Sequence, residues 1–160
     1  MNQSPLSLQE FETVLPLAAA WAEEQEGYIL AHGRSLTLEQ IADARQVGVA
    51  HPERVRLQIV PSIPMPGHPR LQAAGQATGL VSPHTAGLTL RYGIYIRGDL
   101  RDDRLLVAHE LVHTAQYERH GSILAFLRQY LHECLTIGYP AAPLEQEAVV
   151  AAERLARRGK

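Results

Sequence analysis

Apolar residues recur along the first fifty positions at helical intervals. Phe11, Val14, Leu15, Ala18 and Trp21 or Ala22 fall three and four apart. Ser7-Leu8-Gln9-Glu10 stands ahead of them as a capping box, so a helix opens there. Pro16 should kink that helix or mark its true start, and Gly27 or Gly33 should end the segment. Thr37-Leu38-Glu39-Gln40 is a second capping box. Ile41, Ala44 and Val47 continue its helical pattern, with Gly48 placed as a C-terminal cap.

The period then changes. Val55, Leu57 and Ile59 alternate with Arg56, Gln58 and Val60, which predicts a strand. Pro61, Pro64, Pro66, Gly67 and Pro69 break up the next stretch into a loop. Thr85–Leu90 and Gly93–Arg97 read as two strands, or one broken at Tyr92-Gly93. From Asp102 onward the pattern is helical throughout. One helix runs from Asp102 or Asp103 to Arg119, a second from Ser122 to near Gly138, and a third from near Pro143 toward Gly159. Its apolar faces are read as Leu105, Ala108, Val112 and Ala115 in the first, and Leu144, Ala148, Ala151, Ala152 and Leu155 in the last. Helices over 1–50, a small mixed sheet over 51–100 and helices over 101–160 predict one α+β domain spanning 1–160.

The 160 residues suit a single core, and 46% hydrophobic with 20% charged residues is ordinary globular composition. A net charge of −2 without blocks of like charge gives no reason to expect nucleic acid as a partner. The basic end Arg157-Arg158-Gly159-Lys160 reads as cations at a helix C-terminus. The start is not basic, and no apolar run approaches the ~20 residues a bilayer span needs. The single cysteine, Cys134, excludes an intramolecular disulfide and sits among Leu131, Leu135 and Ile137 as a buried, inert thiol. These features predict a cytoplasmic protein with no membrane partner.

His109-Glu110-Leu111-Val112-His113 carries the chemistry. On a helix, residues four apart share a face, so both imidazoles can reach one metal ion. Glu110 lies about 100° round the helix from His109, where a carboxylate can approach a water on that ion without being a ligand. The division is two ligands and one general base, at Zn²⁺ before other metals. Three such fixed positions match by chance in roughly 3 of 100 chains of this composition, and the helical context lowers that figure. Gln116 and His120 extend the stripe as supporting or surface residues. A hydrolytic zinc site needs a third protein ligand. Cys134, Glu133 and His132 lie on the middle helix, and Glu145 and Glu147 open the last one. The latter two are about 200° apart, so only one can face the metal, and helical geometry leaves the choice open.

Leu106–Ala115 resembles the extended HExxH motif of zincin metallopeptidases, with uncharged residues between and after the histidines. A later Glu followed three residues on by Ala, Glu145 with Ala148, is similar to the third-ligand helix of the Glu-zincin (gluzincin-like) branch. Val149 departs from the acidic residue usual after that alanine. The metzincin pattern is not met, because His120 and Gly121 have the wrong spacing. The resemblance implies a zincin-like fold and a zinc metallopeptidase with His109, His113 and Glu145 as ligands and Glu110 as base. It also implies a peptide substrate added along the edge of the sheet before the metal helix, a place occupied here by Gly93–Arg97. Tyr139, between Gly138 and Pro140, is the first candidate for stabilising the oxyanion, followed by Tyr130 and His120. The competing expectation is a non-catalytic zincin-like binding or regulatory module whose zinc is structural.

Overall fold

A computed structural model describes residues 7–78, 85–139 and 141–158. The expectations for the start of the chain, for Pro140 and for the Gly159-Lys160 end lie outside these residues. Among these residues, six α-helices and a four-stranded mixed sheet make up an α+β architecture: α1 (Leu8–His32), β1 (Arg34–Ser35), α2 (Leu38–Gln46), β2 (Arg56–Val60), α3 (Pro69–Thr78), β3 (Gly87–Leu90), β4 (Gly93–Arg97), α4 (Arg104–His120), α5 (Ile123–Thr136) and α6 (Pro143–Arg158). None of these helices is long and apolar enough to cross a membrane.

Local chemistry sets most helix ends. The Ser7 and Thr37 capping boxes both form, with the side chains of Glu10 and Gln40 returning to the cap nitrogens. Asp103 and Ser122 accept from Leu106 N and Ala125 N and so start α4 and α5. Gly121 ends α4 in the left-handed conformation at φ 83°, which satisfies the last turn at no steric cost. α1 runs through Pro16 rather than starting there, and ends at Gly33.

The strand order is β1-β2-β4-β3. β2 and β4 are parallel, with Leu57 opposite Ile94 and Ile59 opposite Ile96, while β1 and β3 pair antiparallel at the two ends. This corrects the expectation that Gly93–Arg97 is an edge. That strand is internal, and Gly87–Leu90 is the end strand on its side. The physical reason is burial on both faces. Tyr95 points into the core shared with Ile29 of α1 and with Phe126 and Tyr130 of α5. Ile94 and Ile96 point the other way, onto Ala44 of α2 and Val107, Leu111 and Ala115 of α4. A strand covered by helices on both faces needs a neighbour on each side for its backbone groups.

α3 falls in a stretch with no predicted helix. Pro69 opens it, and Leu71, Ala74 and Thr78 form its buried stripe against Val14 and Trp21 of α1. α4 is buried nearly all round from Val107 to Tyr117, because the sheet lies on one side and α5 and α6 on the other. Leu105, expected on its apolar face, is exposed. The helix carrying the two histidines is therefore the axis of the fold, not a surface element.

The β3–β4 turn has an unusual residue choice. Arg91 takes φ 61°, a conformation that costs a side-chain-bearing residue about 1–2 kcal/mol. It is held by Glu26, which takes two hydrogen bonds from the guanidinium at 2.8 and 2.6 Å and one from Tyr92 N at 3.0 Å. The Thr114 hydroxyl donates to Arg91 O at 2.7 Å. The hairpin is thus fastened to both α1 and α4, which fixes β3 against the helix that carries the site.

Candidate metal centre

α4 presents His109 and His113 one turn apart, with ring centroids 5.0 Å from each other and planes at 77°. Across from them, the first turn of α6 presents Glu145. His109 Nε2 lies 2.7 Å from Glu145 Oε1, and His113 Nε2 lies 3.2 Å from Glu145 Oε2. One ligand atom from each of the three residues falls within 4.8 Å of the others. Two sequence-distant helices are thereby brought together at one point by three side chains of metal-binding type.

Glu147 is not at this point. It turns to the other side of α6, accepting from Arg119 at 2.8 and 3.0 Å and from Gln116 Nε2 at 3.1 Å. Glu145 is 5% exposed, so it is the carboxylate that the fold buries beside the histidines. The remaining acceptor candidates on α5 have other partners. Glu133 takes Leu144 N at 2.8 Å and Gln129 Nε2 at 3.0 Å, so it supplies the acceptor for an otherwise orphaned amide in the first turn of α6. His132 packs edge-on against Phe11. Cys134 is buried in the main core, and burial pushes its thiol up to about 12, with the charges of Glu145 and Glu133 acting in the same direction.

Gln116 sets the chemistry of His113. Its amide nitrogen donates to Leu144 O at 2.8 Å and to Glu147, both of which can only accept. Its Oε1 must then face His113 Nδ1, 2.8 Å away, and an amide oxygen can only accept. Nδ1 therefore carries a proton whatever the state of the other nitrogen; Nε2 faces Glu145, donates to it in the absence of a cation, and is the nitrogen that would offer its electron pair to one bound there. Burial works against charging His113, but the hydrogen bond to Glu145 and the charges of Glu110 and Glu145 outweigh it and raise its pKa. Glu145 is the mirror case. Burial would raise its pKa, yet the hydrogen bonds from His109 and His113 hold it far below the usual carboxylate range. A divalent cation fits such a donor set: two imidazole nitrogens and an ionised carboxylate converge, and the second nitrogen of His113 is already committed elsewhere.

Tyr130 and Tyr139 complete the surround of Glu145. Tyr130 OH donates to Oε2 at 2.8 Å, and Tyr139 OH lies 3.5 Å from Oε1. Burial and the Glu145 charge raise both phenols well above their ordinary value, so both remain hydrogen-bond donors at neutral pH. Tyr130 is buried and tied to the carboxylate, whereas Tyr139 is half-buried and only loosely held. His120 is turned away, bonded to Gln116 O at 2.7 Å and to Gln129 at 2.7 Å.

Glu110 is also buried, at 6% exposure, on the β3 side of α4. The Thr89 hydroxyl lies 2.6 Å from its Oε2. Gly87 backs directly onto it: a Cβ at that position would sit 2.9 Å from Glu110 Oε1. The sequence marks neither residue. Thr89 lies in an alternating strand where its hydroxyl has no motif to mark it, and Gly87 reads as an ordinary strand glycine. No family model, curated protein or solved structure matches the chain.

Proposed function

We propose that the chain is a zinc metallopeptidase of zincin type, with His109, His113 and Glu145 as the metal ligands and Glu110 as the general base. The observation that supports this reading is the convergence of two imidazoles and one carboxylate within 4.8 Å, with a second, separately held carboxylate beside them. A zinc ion bound by these residues would supply Lewis-acid polarisation of a water and of the scissile carbonyl. Three protein ligands leave a coordination position for that purpose.

The side chains then divide the work. Glu110, fixed by Thr89, accepts the proton of the attacking water and returns it to the leaving amine nitrogen. Tyr139, protonated and 3.5 Å from Glu145 Oε1, is the donor to the oxyanion in this reading. Tyr130 takes one oxygen of Glu145 and so orients the carboxylate. The end strand β3 borders Glu110 at Gly87; the Thr89 carbonyl is already taken by the Tyr117 hydroxyl at 3.2 Å, which leaves the Gly87 end of the strand to meet a peptide backbone. The reading of the chain as a module with a merely structural metal is less well supported, because a structural site is closed. Here the metal-binding residues and Glu110 line a cavity rather than a filled core.

The test is direct. Purified wild-type chain should carry about one zinc per molecule and hydrolyse an unstructured protein such as casein. Glu110→Gln should keep the zinc and lose the hydrolysis, and His113→Ala should lose both. Background zinc in the wild type, or undiminished hydrolysis by Glu110→Gln, would sink the proposal.

A further inference from the structure

Glu145 meets the two histidines only because α6 starts in the right place, and that start is held from α5. Glu133 ends one helix and begins the next. Its carbonyl takes Ile137 N and Gly138 N at 2.8 and 3.2 Å, which closes α5. Its buried side chain takes Leu144 N at 2.8 Å, the amide next to Glu145 in sequence. The second carboxylate oxygen takes Gln129 Nε2 at 3.0 Å. Gln129 Oε1 meets His120 Nε2 at 2.7 Å, and His120 Nδ1 meets Gln116 O at 2.7 Å. Gln116 closes the circuit, because its side-chain amide joins His113 Nδ1 to Leu144 O. These hydrogen bonds form a ring through α4, α5 and α6 that holds Leu144 by both its N–H and its carbonyl.

We infer that His120, Gln129 and Glu133 are positioning residues of the metal centre, and that their relay is complete only while it holds one extra proton. This rests on the metallopeptidase reading and adds a pH control of the site. The proton follows from the inventory of donors and acceptors. Gln116 O and Gln129 Oε1 can only accept, so His120 must donate from both ring nitrogens, and it does so as an imidazolium beside an ionised Glu133. Turning the Gln129 amide over does not remove the requirement. Its nitrogen would then donate to a neutral His120, but its oxygen would face Glu133, which would need the proton instead. The helix ends favour the first arrangement. His120 is the last residue of α4, where a cation is stabilised, and the Glu133 carboxylate lies at the first turn of α6, where an anion is stabilised.

The charged and titratable neighbours have other engagements. Arg119 of α4 pairs with Glu147 of α6 at 2.8 Å, and Glu118 takes the amides of Ala50 and His51. On α5, Arg128 bonds Glu12 of α1 at 2.7 Å and His132 packs against Phe11, while Glu145 of α6 is turned to the histidines. When the proton leaves, the relay loses one bond whichever way the amide lies, and the first turn of α6 is held less firmly.

Glu133→Gln separates the proton from the scaffold. A glutamine there can accept from Leu144 N and donate to a turned Gln129 amide, whose nitrogen then donates to neutral His120, so the relay closes without the extra proton. Two measurements on the full chain use this. In the first, ¹⁵N NMR of histidine-labelled protein follows His120, assigned by the loss of its signals in His120→Leu. His120 Nε2 should keep its proton to a proton concentration roughly threefold to tenfold lower in the wild type than in Glu133→Gln, the scale of one hydrogen bond. In the second, chelator competition gives zinc affinity from about pH 5.5 to about pH 8.5, across the ordinary histidine range. Wild-type affinity relative to that of Glu133→Gln should fall roughly threefold to tenfold as pH rises, a ratio in which protonation of the ligands themselves cancels. Gln129→Leu alters an exposed position, serves if Glu133→Gln does not fold, and should weaken zinc binding at the low-pH end by the same factor. An Nε2 proton held equally in both proteins, or an affinity ratio that does not change with pH, overturns the relay and leaves the metallopeptidase reading standing. No zinc binding by the wild type at any pH overturns both.

Discussion

Thr89 Oγ1 lies 2.6 Å from Glu110 Oε2 and 3.0 Å from the Glu110 carbonyl oxygen, so one strand hydroxyl is in reach of both the side chain and the backbone of the proposed base. The short contact to the carboxylate is charge-assisted, and such bonds are worth about 1.5–3 kcal/mol. On the other side, a Cβ at Gly87 would lie 2.9 Å from Oε1, so the glycine provides the room the carboxylate occupies. Thr89→Val should therefore lower kcat/KM by roughly tenfold to a hundredfold with zinc content unchanged. Thr89→Ser should restore most of the rate. Gly87→Ala should also depress hydrolysis, because its methyl group occupies the space of Glu110 Oε1. Steady-state kinetics beside metal analysis separates these effects, and a Thr89→Val enzyme with wild-type kcat/KM would show that the hydroxyl has no part in positioning the base.

Gln116 joins the two helices of the centre through His113 Nδ1 on α4 and Leu144 O on α6. Substitution by leucine leaves the His113 tautomer undirected and Leu144 O without its partner. Zinc affinity should fall about tenfold to a hundredfold, the usual scale for outer-shell partners of metal-ligating histidines. Competition against a chromogenic chelator measures this, and unaltered affinity in Gln116→Leu would remove Gln116 from the account.

Glu145 and Glu147 give opposite expectations despite lying two residues apart. Glu145 faces both histidines, and Glu147 faces Arg119 and Gln116. Glu145→Ala should lose stoichiometric zinc, and Glu147→Ala should retain it. Stability offers a second readout. A ligand at a hundred times its Kd adds about 2.7 kcal/mol, which for a chain of this size is roughly 5–10 °C in Tm. Zinc should raise the melting temperature of Glu147→Ala by that order and leave Glu145→Ala unmoved. The reverse pattern would transfer the third ligand to Glu147.

These contrasts also show what can be read from the chain alone. Capping boxes at Ser7 and Thr37, the glycine stop at Gly121 and the four-residue spacing of His109 and His113 are local, and each reports on its own turn of helix. Helical geometry shows that Glu145 and Glu147 face apart, but not which of them meets α4, since that depends on the packing of α6. Strand order is non-local in the same sense. Gly93-Ile94-Tyr95-Ile96 holds four consecutive buried residues, the mark of a strand covered on both faces, and that run rather than its place before α4 was the informative signal. α3 left a legible stripe at Leu71, Ala74 and Thr78 behind Pro69, but the surrounding prolines obscured it. The Thr89 to Glu110 contact spans 21 positions and joins two elements that meet only in the folded chain, so no periodicity announces it.

Cys134 offers a measure of how tightly the region behind the centre is closed. The thiol is 5% exposed and packs in the core with Leu131 and Leu144. Burial, followed by the charges of Glu145 and Glu133, pushes its pKa from 9.0 to about 12. Because the folded value is raised, the protonated thiol contributes stability that is fully present below pH 9.0 and is lost as pH climbs toward about 12. At pH 8 the native chain should react with Ellman's reagent at least a hundredfold more slowly than a free thiol, since both thiolate fraction and access are reduced. In denaturant it should react at the free rate with one equivalent. Cys134→Ala should moderate the loss of stability between pH 9.0 and about 12. Rapid stoichiometric labelling of the native, zinc-loaded chain would instead show that α5 opens readily, and that Tyr130 and Glu133 on the same helix cannot hold Glu145 and the start of α6 as rigidly as their hydrogen bonds indicate.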